Sequence, residues 1–220
     1  MFPLRDSTKS MTFPLVTVIL IAVNLLVYFW EASLPEQSFY LLMYSRGLVP
    51  ANMWHISTLP QWVVSIFTAM FMHGSLSHVI GNMWILWLFG DNVEDHMGRR
   101  NFITFYLIGG VVAAFVHCLF FPSSEVPVVG ASGAVAGVMG AYFLMFKRAT
   151  ILTFIFPFFL IPIPAMFYLG VWIVMQFLSG TSSLTTAGSS IAFLAHVGGF
   201  AAGMLLHRRF IEYRPNGDIF

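Results

Sequence analysis

Few side chains in this sequence could do chemistry, and several of them stand in apolar surroundings. Ser132 lies in Gly130-Ala-Ser-Gly133 and His196 in Ala195-His-Val-Gly-Gly199. His73, His78 and Asn82 share the stretch Phe71-Met-His-Gly-Ser-Leu-Ser-His-Val-Ile-Gly-Asn82. A serine hydroxyl can attack a carbonyl when a base removes its proton, and a histidine near neutrality can be such a base. Asparagine and histidine can donate hydrogen bonds to developing negative charge. From their neighbours alone the same residues also read as packing and interhelical hydrogen-bonding groups. The elements that carry them decide between these readings.

Those elements are membrane spans. Of 220 residues, 58% are hydrophobic and 9% are Asp, Glu, Lys or Arg, and the mean hydropathy is +0.83. Soluble domains carry about 25% charged residues, and disorder needs low hydrophobicity with high net charge. A net charge of +1 leaves no basic surplus for nucleic acid. The single cysteine, Cys118, excludes a disulfide framework and a cysteine-based zinc site. The uncharged runs are 10–30, 47–90, 101–124, 126–146 and 149–207. At about 20 apolar residues per span, the first four hold one helix each. The fifth holds two, separated by the small and polar residues 179–190. The first run is too long for a signal-peptide core and has no small-x-small site after it.

The reading is one all-α domain of six helices over residues 13–210, with short tails at 1–12 and 211–220. Placing the N-terminus inside puts nine basic residues on the cytoplasmic side and only Arg46 outside, a strong positive-inside bias. Both termini are then cytoplasmic, and the connection at about 31–61, rich in Trp, Tyr, Met and Pro, is external. No Asp or Glu falls at mid-depth in a span. That disfavours an ion-driven transporter, which usually needs buried carboxylates along its path.

Depth separates Ser132 from ordinary packing residues. Fifteen residues lie from Ser132 to Lys147, roughly 22 Å of helix against a hydrocarbon core of about 30 Å. With Lys147 at the inner surface, Ser132 sits below the outer surface, and the loop before it dips into the membrane. Such backbone is tolerated only inside protein or along a water-filled cavity. His78 and Asn82, four apart, share a helix face. Gly133 with Gly137, and Gly199 with Gly203, are small-xxx-small pairs that let helices approach closely. Meeting through those faces would bring His196, one turn before Gly199, toward Ser132.

His73-x4-His78-x3-Asn82, Gly130-x-Ser-Gly133 and Ala195-His-x-Gly-Gly199 resemble, in order, the three signature motifs of rhomboid intramembrane serine proteases. Gly90-Asp-Asn-Val-Glu-Asp-His-Met-Gly98 is similar to the segment after that family's second helix. The resemblance runs from about Pro14 to Phe210. It implies Ser132 as nucleophile and His196 as general base, with an oxyanion hole from His78, Asn82 and backbone N–H groups near Ser132, Gly133 among them. It also implies a membrane-embedded first loop at 31–61, and a substrate gate and cap from the outer fifth helix and residues 179–190. Where some members carry a tyrosine one turn after the serine, packed on the catalytic histidine, this chain has Ala136. Packing against Gly199 and the fourth helix is the expected support for the His196 ring.

With no carboxylate expected near His196, the implied machinery is a Ser–His dyad, and one oxyanion donor contributes about 3–4 kcal/mol. The expected substrates are single-span membrane proteins in the lipid bilayer, cut near the outer end of helices that unwind easily. No cofactor, metal, nucleotide or nucleic acid is expected. His73 and His78, five apart, are poorly spaced for zinc, which favours a helical pair at i,i+4. His73 could tie down the first loop or take part in chemistry, whereas His55, His96, His117 and His207 read as structural or interfacial. The expected location is a prokaryotic plasma or inner membrane, crossed several times. The alternative is a non-catalytic rhomboid-like pseudoprotease that binds transmembrane helices, though such relatives typically lack the Ser–His pair kept here.

Overall fold

The computed structural model describes residues 1–157, 159–183 and 192–212. The chain begins with strand β1 (Phe2–Asp6), followed by helices α1 (Leu15–Ala32) and α2 (Glu36–Arg46), a 3-10 turn (Pro50–Trp54) and α3 (Leu59–Ala69). Helices α4 (Leu76–Met97), α5 (Arg99–Phe120) and α6 (Ser132–Met145) come next, then strands β2 (Thr150–Ile155) and β3 (Phe159–Pro164). Helices α7 (Ala165–Ser183) and α8 (Phe193–Phe210) complete the described chain. Among the described residues, α1, α5 and α7 are long and apolar enough to cross a membrane.

Helix α6 is the centre of the bundle. Every residue from Gly133 to Tyr142 is buried, as expected of a helix that is apolar on all sides. It packs against α4, α5, α7 and α8. At 14 residues it is about 21 Å long, shorter than a full crossing. The α6–α8 contact is backbone on backbone. A β-carbon on Gly199 would collide with the Gly133 carbonyl oxygen, one on Gly203 with that of Gly137, and one on Gly140 with that of Phe200.

The acidic residues at the end of α4 are structural. The Glu94 carboxylate accepts from the Val16 and Thr17 N–H groups at 2.9 and 2.8 Å and from the Thr17 hydroxyl at 2.8 Å. Asp95 accepts from Met11 N–H at 3.0 Å and from the Thr12 hydroxyl at 2.5 Å. Together they take up orphan donors at and before the start of α1 and place negative charge at its positive end. The close approach of α1 to α4 runs over Gly90, where a β-carbon would stand 3.0 Å from Thr17 Oγ1.

Two regions differ from the sequence expectation. The expectation placed a surface connection and a single helix across 31–90, where the structure forms α2, the 3-10 turn, α3 and α4. Ser75 ends the non-helical stretch after α3, because its side chain accepts from His78 N–H and caps α4. His73 therefore precedes the helix, while His78 and Asn82 lie on it. Glu31, assigned to the external connection, belongs to the last turn of α1 and is buried. In the fifth apolar run, where two spans were expected without bounds for the first, residues 150–164 form a hairpin and the helix begins only at Ala165. Pro157, Pro162 and Pro164 oppose a helix there, and Ile and Thr favour strand. The sheet order is β1-β2-β3, all antiparallel, so the prolines of β3 sit on an edge strand, where a missing N–H is tolerated.

Strand β1 anchors the N-terminal residues to the far end of the bundle. Asp6 accepts from the Tyr142 hydroxyl at 2.5 Å and from the Asn92 amide at 3.0 Å. Trp84 Nε1 donates to the Pro3 carbonyl at 2.7 Å. Burial pushes the Asp6 carboxyl above its ordinary value, although hydrogen bonds from Tyr142 and Thr8 oppose the shift.

Candidate active site

Ser132 is the first residue of α6, and the loop that delivers it is tied down on several sides. Leu48 and Val128 exchange backbone hydrogen bonds at 2.9 and 2.8 Å, and Gly130 N–H donates to the Ala69 carbonyl at 2.8 Å. Gly130 has φ +127°, a conformation open to glycine and strained for other residues. Its α-carbon faces the α4 side chains: a β-carbon there would stand 2.7 Å from the His78 ring and 3.6 Å from Asn82 Nδ2. The backbone just before the serine therefore lies against His78 and Asn82.

His73 joins three elements. Its ring Nε2 accepts from Asn82 Nδ2 at 3.0 Å and lies 3.5 Å from the Ala131 N–H. Its own N–H donates to Glu31 at the end of α1 at 3.1 Å. One Asn82 N–H is thus used for anchoring, and the amide retains a second donor. The His73 and His78 rings pack edge to face at 5.1 Å. Between the two readings open for His73, the geometry places it as a tie linking α1, α4 and the loop before Ser132.

His196 lies in the first turn of α8. Its ring has partners beyond the packing expected. The ring Nδ1 lies 2.6 Å from the Gln176 side-chain oxygen on α7. Trp172, also on α7, stacks at a tilt of 30° with centroids 5.9 Å apart, and Phe193 meets the ring edge-on at 6.5 Å. The Gly199 α-carbon itself faces the Gly133 carbonyl. Sequence reasoning did not single out Gln176; its signal was an amide side chain within an apolar helix, where a polar group needs a partner.

Ser132 and His196 are carried on the facing first turns of α6 and α8. The Ala195 carbonyl is 4.0 Å from the place a β-carbon on Gly133 would occupy. Among the described residues no hydrogen bond joins the Ser132 hydroxyl to the His196 ring; what the fold brings together is the helix ends. Ser132, Gly133, Gly130 and Ala195 line a cavity of about 40 Å³ that also contains His117, enough for at least one water. His117 is buried and its Nδ1 has no hydrogen-bond partner. Among the described residues no group of three or more His, Cys, Asp or Glu could hold a metal ion. Of the expected gate and cap, residues 184–191 lie outside the described residues.

The family model described as "Rhomboid domain" matches residues 60–213, more than half of the chain. The chain belongs to the rhomboid family. It is 32% identical over 152 residues to "Rhomboid protein 1, mitochondrial" of Saccharomyces cerevisiae, covering 64% of this chain and 40% of that protein. It is 28% identical over 161 residues to "RHOMBOID-like protein 12, mitochondrial" of Arabidopsis thaliana, covering 66% of this chain and 46% of that protein. Against "Presenilin-associated rhomboid-like protein A, mitochondrial" of Danio rerio, identity is 27% over 129 residues, covering 51% and 34%. The chain spans less than half the length of each of these relatives. Their names overturn the expectation of a prokaryotic plasma or inner membrane and point to a mitochondrial membrane instead. Hydropathy could not have separated the two, since an apolar span of about 20 residues suits either bilayer.

Proposed function

We propose that this protein is an intramembrane serine endopeptidase acting on single-span membrane proteins, with Ser132 as nucleophile and His196 as general base. The supporting bundle is α1, α4, α5, α6, α7 and α8 as six spans, with both termini on one side and Ser132 toward the other. Ser132 Oγ attacks the scissile carbonyl carbon while its proton passes to His196 Nε2. The negative charge that forms on the carbonyl oxygen is met by the free Asn82 N–H, by His78 and by N–H groups at the start of α6, including that of Gly133. The start of α6 adds its partial positive charge. The intermediate collapses with release of the amine, which takes the proton from His196. A water then hydrolyses the acyl-enzyme with His196 again as base.

The observation that carries this reading is the α6–α8 crossing: glycine against carbonyl, it sets the two first turns side by side around a small cavity. Substrate must arrive locally unwound, because a carbonyl inside an intact helix is hydrogen-bonded and shielded. The test is fluorophosphonate labelling and cleavage of a generic single-span substrate in bilayers. Ser132→Ala and His196→Ala are each expected to lose labelling, with cleavage reduced roughly 10⁴-fold or more. Undiminished cleavage by Ser132→Ala would remove the serine from the mechanism. A folded wild type that neither labels nor cleaves would indicate a non-catalytic binder of transmembrane helices.

A further inference from the structure

We infer that Gln176 is the positioning residue of His196, its side-chain oxygen accepting the Nδ1–H so that the Nε2 lone pair faces the Ser132 side. The inference rests on the proteolytic reading of the same site and supplies what that site lacks. A base must present a bare nitrogen to the serine, and the other ring nitrogen's hydrogen bond decides which one is bare. In soluble serine proteases a buried aspartate does this. Among the described residues no carboxylate is placed to do it, and a buried charge in the bilayer would be costly. A neutral amide at 2.6 Å fixes the tautomer without that charge.

The surroundings make this more than a chance contact. Trp172 and Gln176 are four apart, so they project from one face of α7. One stacks on the His196 ring while the other bonds its edge. Phe193 closes a third side. The position where a tyrosine could have packed on the ring is Ala136, fully buried and carrying only a methyl group. The other titratable side chains bearing on His196 are His78 of α4 and His117 of α5; among the described residues neither hydrogen-bonds the ring. Much of the rest of α7 is exposed, Val171, Val174, Met175, Phe177 and Leu178 among it. Gln176 is therefore an amide turned inward from an otherwise apolar helix.

The experiment uses the full chain in bilayers, with ¹⁵N-labelled histidine and the His196 signals assigned through His196→Ala. Wild type is expected to show Nδ1 protonated and Nε2 bare, and Gln176→Leu to show a mixture of tautomers. In cleavage assays, Gln176→Leu should lower kcat at least tenfold with KM unchanged. Gln176→Glu should keep cleavage, with the acid limb of its pH–rate profile moved to higher pH because a carboxylate beside Nδ1 favours the imidazolium. A bare Nδ1 in wild type overturns the inference, as does wild-type kcat in Gln176→Leu together with an unmoved limb in Gln176→Glu. Failure of the proteolytic reading is seen separately, as wild-type cleavage that does not depend on Ser132, and it leaves the tautomer measurement interpretable.

Discussion

The two proposed catalytic residues are held by different means. Ser132 is placed by backbone: the α6–α8 crossing has no side chain at its closest points, and the loop before it is fixed by N–H groups bonded to Leu48, Ala69 and His73. His196 stands on the same rigid crossing, but its ring is oriented by side chains, chiefly two from α7, most of whose surface is exposed. A backbone contact can be damaged only by adding atoms. A side-chain contact can be removed without disturbing the fold. Steric and orienting defects should therefore separate experimentally.

The largest effect is expected from Gly199→Val. It drives a branched side chain into the Gly133 carbonyl and should lower stability by about 3 kcal/mol or more while abolishing activity, read as a fall in the thermal midpoint in detergent. Asn82→Ala comes next. It should reduce kcat by about 10²-fold and free His73 from its partner, while leaving most of the bundle intact by circular dichroism. Trp172→Ala should reduce kcat by a smaller factor with little change in midpoint, since it leaves the Gln176 contact but lets the ring tilt. An unchanged kcat would place all of the orienting effect on the amide. Met175→Ala, on the exposed side of α7, should leave both stability and cleavage within about 0.5 kcal/mol of wild type. A larger change in either would show that α7 is held more firmly than its exposure implies.

Acidity offers a finer probe at the opposite end of the bundle. Because burial raises the Asp6 pKa, the folded state holds that proton more tightly than the unfolded chain. Its contribution to stability is therefore fully present below the ordinary carboxylate value and is lost as pH rises through the elevated one. Hydrogen-exchange protection of β1, corrected for intrinsic rates, should fall across that window in wild type and stay flat in Asp6→Asn.

What was legible in the sequence was whatever spacing encodes. Gly133 with Gly137 and Gly199 with Gly203 announced a close crossing because residues four apart share a face, and the short distance from Ser132 to Lys147 matches the 14 residues of α6. Hydropathy was less informative where strand and helix are equally apolar: it placed one span in the part of the run before residue 179 without bounding it, and so did not separate the hairpin at 150–164 from the helix that follows. Helices α2 and α3 were hidden in a mixed-polarity stretch without clear periodicity. Gln176 was invisible for another reason: its partner lies 20 residues away on another helix, and no local pattern marks such a pair. The bilayer itself left no mark on the spans that distinguishes one membrane from another.

Strand β1 has a consequence for the order of assembly. Its partner β2 is made only after α1 to α6 have emerged. At 5–20 residues per second that delay is on the order of ten seconds. During it, the backbone of residues 2–6 has no sheet to join, and Asp6 has no Tyr142 to accept from. The sheet is therefore a late clasp: it cannot close before residue 155 has been made, by which time the whole of the central helix has been synthesised.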